Sequence, residues 1–127
     1  VGDAARALNG ANLTVVMLET PKAIENADEI AAVPGVDVLL IGTNDLCAEM
    51  GIHGDFGNDR VADAYGKMIA ACKKANKFPG MAGIYNEAIM PRYIDMGARF
   101  ILSGQDAQFM MAGAMSRTGN LRKMHGG

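Results

Sequence analysis

Two acidic residues stand where chemistry is done in α/β proteins. Glu19 directly follows the apolar run Leu13–Leu18, and Asp45 closes the stretch Leu39-Leu40-Ile41-Gly42-Thr43-Asn44. Each therefore sits at or just past the carboxyl end of a candidate strand. In parallel α/β folds sites are built at that edge, because loops converge there and helix N-termini point toward the ligand. Adjacent strands lie ~4.8 Å apart, so carboxylates from two neighbouring strands can share one ion. Hard oxygen donors of this kind suit Mg2+ or Mn2+, with places left over for water and substrate oxygens. An acid past a strand also serves as a helix cap, and Asp45 before Leu46–Met50 fits that role. Glu19 fits it poorly, because glutamate is a weak N-cap. Position alone leaves both readings open.

The remaining reactive side chains carry blander expectations. His53 lies in a glycine-rich loop and His125 in a polar tail, and both read as solvated surface residues. His53 is also a candidate for the rim of a site, since Ile52–Phe56 follows the Asp45 segment. Cys47 and Cys72 occur without any secretory feature, which points to free, buried packing thiols in a reducing cytoplasm. The methionines fall mostly on helical stripes and read as core filler. Gly80-Met81-Ala82-Gly83 suits either a backbone that approaches a ligand or small residues in a crowded barrel interior.

The elements that must position the acids alternate between strand and helix four times. Leu13–Leu18 has the continuous apolar character of a strand buried on both faces of a parallel sheet. Thr20 and Pro21 start a helix, with Ala23, Ile24, Ala27, Ile30 and Ala31 on one stripe. Pro34-Gly35 ends it, and Val36–Ile41 supplies the second strand. A polar segment over Thr43–Arg60 follows, with a helical stretch near Leu46–Met50. Val61, Ala64, Tyr65, Met68, Cys72 and Ala75 mark a long helix capped by Asn58 or Asp59. The third strand lies around Gly80–Ile84, and Asn86–Met96 is a helix ended by Gly97, with Pro91 shifting its start or kinking it. Arg99–Ser103 is the fourth strand. The last helix starts near Asp106, with Ala107, Met110, Met111, Ala114 and Met115 on one face, and Gly119–Gly127 reads as a frayed tail.

Four βα units imply a parallel sheet with right-handed crossovers, either open or an arc of a barrel. No G-x-G-x-x-G follows the first strand, which weakens a dinucleotide-binding reading. The chain has 127 residues, enough for one domain with a core but only about half of a typical ~250-residue (β/α)8 barrel. Its start at Val1 rather than Met points to further residues upstream. A net charge of −2 with scattered basic residues shows no nucleic-acid footprint. The apolar runs are too short to span a bilayer, and no signal peptide opens the chain.

Several motifs in order resemble one family. Val16-Met17-Leu18-Glu19-Thr20-Pro21-Lys22-Ala23-Ile24-Glu25-Asn26, then Val33-Pro34-Gly35-Val36-Asp37, then Ile41-Gly42-Thr43-Asn44-Asp45-Leu46 look like the HpcH/HpaI aldolases. The likeness continues through Lys77-x-Pro79-Gly80, Arg92-Tyr93-x-x-x-Gly97-Ala98 and Ser103-Gly104-x-Asp106. This resemblance implies the C-terminal half of a (β/α)8 barrel, in which Glu19 and Asp45 hold a divalent cation (Mg2+ or Mn2+, with Co2+ a further option). It implies a lyase that reversibly cleaves a 4-hydroxy-2-oxo acid to pyruvate and an aldehyde. The backbone N–H groups of Asn44 and Asp45 would receive the substrate carboxylate, and Ala82 would line the pocket wall. Where the family often has Gly-Pro-x-Asp, this chain has Gly42-Thr43-Asn44-Asp45, which keeps the ligand but alters the local backbone.

The family's histidine base and substrate-steadying arginine come from earlier strands, so no catalytic residue is assigned within this chain. Residues 1–127 alone are expected to bind metal weakly and turn over little. Open sheet edges invite pairing with another chain, and the resemblance implies a homo-oligomer with an exchanged last helix. Two other readings remain. One is a malyl- or citramalyl-thioester lyase, for which no basic patch suited to a coenzyme A tail is present. The other is a non-catalytic, self-associating half barrel.

Overall fold

The computed structural model describes residues 2–125. A helix that the sequence reading did not anticipate comes first: α1, Gly2–Ala11, none of whose residues is buried. Strand β1, Val15–Leu18, then enters the sheet. Thr20 accepts a hydrogen bond from Ala23 N at 3.1 Å and Pro21 opens α2, Pro21–Glu25. The expected single helix is in fact two, because Asn26 leaves helical geometry (φ −90°, ψ 9°) before α3, Ala27–Ala31. Gly35, at φ +88°, makes the turn into β2, Val38–Gly42. Helix α4, Thr43–Glu49, starts with no intervening loop. The long helix α5, Asp59–Ala75, is capped by Asn58, whose side chain accepts from Arg60 N at 3.0 Å.

Strand β3, Phe78–Ala82, begins two residues earlier than the pattern suggested and stops at Gly83, whose φ of +83° suits glycine. Pro91 moves the next helix start as expected: α6 is Met90–Met96, and Asn86–Ile89 are not part of it. Strand β4 is only Phe100–Ile101. Helix α7, Asp106–Met124, runs through Gly119 instead of fraying there.

All four strands are parallel in the order β1-β2-β3-β4. Their period of two separates two faces. Leu18, Leu39, Ile41 and Met81 point into the main core against Ile24, Ala27, Ala31, Val61, Tyr65, Met68 and Tyr93 of the helices. Val38, Leu40 and Ala82, with Val15 and Phe100, make a smaller cluster on the opposite face. Only β2 is buried along its whole length. The expected burial of Leu13–Leu18 on both faces is not met among the described residues, where β1 has a neighbouring strand on one side. Leu13 and Met17 are exposed there.

The methionines correct the sequence reading as well. Among the described residues Met68 and Met81 are buried, while Met110, Met111 and Met115 of α7 stand in solvent with the rest of that helix. Cys47 and Cys72 are free and buried, as expected. Among the described residues no helix is long and apolar enough to cross a membrane.

Candidate metal centre

Register brings the expected residues to one edge. Leu18 pairs with Ile41, and Gly42 pairs with Ala82. One step beyond Leu18, Glu19 comes level with Gly42 and Ala82. By the strand period its side chain belongs to the face of Met17, Leu40 and Ala82, away from the helices. The contact is direct: a Cβ placed on Gly42 would stand 2.8 Å from both Cγ and Oε1 of Glu19. Glycine at position 42 thus opens the space that the Glu19 side chain crosses.

Asp45 stands three residues further on, in the first turn of α4, and is exposed. Gly42 occupies the N-cap without a side chain to cap with, so Asp45 is not the cap. Asn44 reaches sideways: its Nδ2 donates to Gly83 O at 3.4 Å, and its amide crowds the Cα face of Gly83. That contact ties the start of α4 to the end of β3. Ala82, 7 % exposed, presents its methyl on the same face as Glu19.

The donor set fits a hard cation in part. Glu19 is half-buried, and neither it nor Asp45 is engaged in a hydrogen bond or an ion pair with a side chain among the described residues. No group of three or more His, Cys, Asp or Glu residues is placed to hold an ion among them. Two carboxylates, one just past β1 and one in the first turn of α4, would leave most of an octahedral shell to water and ligand oxygens, the usual arrangement for Mg2+.

One buried residue was missed in the sequence. Thr43 has no exposed surface, and its hydroxyl lies 2.6 Å from Ala82 O and 2.8 Å from the Tyr65 hydroxyl. A carbonyl can only accept, so Thr43 donates to Ala82 and Tyr65 must donate to Thr43. Burial pushes the Tyr65 phenol well above its usual range. The available signal was a hydroxyl residue directly after the apolar run Val38–Gly42. Tyr65 itself read only as one member of a helical core stripe.

The segment after α4 is tied down from α6. The Tyr93 hydroxyl donates to Phe56 O, and Arg92 donates to Gly57 O at 2.5 Å and to Asp59 Oδ1 at 2.8 Å. Arg60 adds a bond to Met50 O at 3.1 Å. His53 is exposed in this loop and His125 is exposed beyond α7, as read from the sequence.

Comparison with known proteins gives a consistent result. Residues 2–112 match the family model described as HpcH/HpaI aldolase/citrate lyase. The chain is 44% identical over 111 residues to a 4-hydroxy-4-methyl-2-oxoglutarate aldolase of Hapsidospora irregularis, covering 86% of this chain and 41% of that protein. It is 35% identical over 121 residues to a 4-hydroxy-2-oxo-heptane-1,7-dioate aldolase of Salmonella paratyphi B, covering 93% and 46%. Among solved structures, an HpcH/HpaI aldolase/citrate lyase family protein from Burkholderia cenocepacia J2315 superposes with a TM-score of 0.78 at 28% identity. That match covers 94% of this chain and 46% of that one. The chain thus spans less than half the length of these relatives. Its four βα units are an arc of a (β/α)8 barrel.

Proposed function

The chain belongs to the HpcH/HpaI aldolase/citrate lyase family, and from that premise we propose that it contributes the metal-holding edge of a carbon–carbon lyase. The reaction is reversible aldol cleavage of a 4-hydroxy-2-oxo acid to pyruvate and an aldehyde. The observation that carries this reading is the Glu19 side chain laid over Gly42, beside the helix turn that bears Asp45.

Glu19 and Asp45 would hold a divalent cation, Mg2+ or Mn2+, with Co2+ as a further option. When bound, that cation supplies Lewis-acid polarisation of the 2-oxo group, which favours the enolate left as the C3–C4 bond breaks. The residues of this chain do the rest by placement. The N–H groups of Asn44 and Asp45 receive the substrate carboxylate at the first turn of α4. The Ala82 methyl closes the wall beside Glu19 and keeps water from that side of the substrate. The proton of the 4-hydroxyl goes to a base from outside residues 1–127, and the same proton economy returns one to C3 to complete pyruvate.

The protein acts as a homo-oligomer, and two free buried thiols suit a reducing cytoplasm. Residues 1–127 by themselves bind metal weakly and turn over little, since general acid–base help is typically worth ~10²–10⁴-fold.

The test is Mn2+ titration followed by electron paramagnetic resonance, with pyruvate release from a 4-hydroxy-2-oxo acid measured alongside. Glu19→Gln and Asp45→Asn should each abolish the weak Mn2+ binding of residues 1–127 and, within a complete barrel, pyruvate release as well. Unchanged Mn2+ affinity in either variant would refute the pair.

A further inference from the structure

Three buried side chains outside the proposed ligands, Thr43, Tyr65 and Tyr93, form a continuous series of contacts that ends at the first residue of α4. Thr43 lies between Gly42, over which Glu19 rests, and the turn that carries Asp45. Its hydroxyl bridges Ala82 O and the Tyr65 hydroxyl. Tyr65 is fully buried, and its ring packs on that of Tyr93 at 4.2 Å between centroids, tilted by 34°. Tyr93 in turn donates to Phe56 O in the loop after α4.

We propose that Thr43 is a positioning residue for the metal site, with its hydroxyl, oriented by Tyr65, setting where the first turn of α4 presents Asp45. The inference rests on the metal reading of Glu19 and Asp45. The geometry supports it in three ways. Thr43 is the first residue of α4, so its backbone position and the direction of the helix start are one variable. The turn has no side-chain cap to hold it from Gly42, which leaves the Thr43 bonds and the Asn44–Gly83 contact as its side-chain ties. Both oxygen partners of Thr43 lie on separate elements, β3 and α5, so the hydroxyl fixes the turn against the sheet and the helix layer together. Ala82 and Tyr65 are buried, and in a low-dielectric interior a polar group left unpaired is costly.

The test compares Thr43→Val, which keeps the shape and removes the hydroxyl, with Thr43→Ser, which keeps the hydroxyl. Mn2+ affinity of the protein is measured by electron paramagnetic resonance, and thermal melting without metal is measured on the same samples. Thr43→Val should weaken Mn2+ binding roughly 10- to 100-fold, the range seen when a group that orients a metal ligand is removed. Thr43→Ser should restore the affinity to near that of the parent. Tyr65→Phe, which leaves the Thr43–Ala82 bond intact, should weaken it severalfold and serves if Thr43→Val does not fold. A lower melting temperature with unchanged Mn2+ affinity in the folded variants would overturn the proposal and leave Thr43 a packing residue. Glu19→Gln in the same titration separates the two claims. If it abolishes binding while Thr43→Val and Tyr65→Phe do not weaken it, the positioning role alone fails. If it has no effect, the metal reading itself fails and this inference with it.

Discussion

Glu19 occupies the space in which Gly42 would carry a side chain. The two residues belong to adjacent strand ends, and a Cβ on Gly42 would meet Glu19 Cγ and Oε1 at 2.8 Å and Met17 Sδ at 3.1 Å. Glycine here is not a conformational requirement, since its φ is −81°. It is a requirement of the neighbour.

Gly42→Ala should therefore separate stability from ligation. The clashing atoms are the outer part of a flexible side chain, which can swing away, so unfolding free energy should fall by only about 1 kcal/mol, the low end of overpacking costs. Swinging away takes the carboxylate off the site, and Mn2+ affinity should drop by at least ~10-fold, as for other disturbed ligand orientations. Urea unfolding and a Mn2+ titration on one preparation check both halves, and retained affinity would be the contrary result.

Gly80→Ala should behave in the opposite way. A Cβ at Gly80 would stand 2.7 Å from Leu40 Cδ1, but also 3.1 Å from Phe100 O and 3.3 Å from Leu39 O. Two of these neighbours are backbone of the flanking strands, which cannot move without opening the sheet. A loss of about 1–3 kcal/mol is expected, the usual cost of overpacking, read as a lowered urea midpoint. The glycine-spaced strand thus serves a crowded interior at this position, one of the two readings its sequence allowed.

Stability should decline in alkali. Burial is the leading cause that raises the pKa of Tyr65 and Tyr93 above the phenol value of 10.0, and of Cys47 and Cys72 above the thiol value of 9.0. The unfolded chain therefore releases these protons at lower pH than the folded one, so the unfolded state binds fewer of them. Stability from these groups is complete below pH 9 and is lost as pH rises past the thiol and then the phenol values. Denaturant midpoints measured upward from about pH 8 should fall, and Tyr65→Phe should soften the fall. A flat profile would contradict the burial argument.

Much of the architecture was legible because it is written in neighbouring residues. Thr20 with Pro21, Asn58 before α5 and Pro91 in α6 act within one helical turn, so their positions along the chain carry the outcome. The inward set of β2 and β3 follows from a period of two. The errors fall where the cause lies elsewhere. Leu13–Leu18 has the composition of a central strand, and among the described residues it has a neighbouring strand on one side, with Leu13 and Met17 exposed. The methionines of α7 have core character and no core to enter among the described residues.

The site divides in the same way. By itself the sequence determines that two carboxylates follow two strand ends, since strand periodicity and the linked motifs around Glu19 and Asp45 are properties of the chain order. The tertiary structure alone decided that Glu19 lies across Gly42, that Asn44 leans on Gly83, and that Thr43 is held between Ala82 and Tyr65. These contacts join residues 22 and 39 positions apart in the two Thr43 bonds. They depend on register and on the packing of α5 against the sheet, which arise only when the elements assemble around a common core.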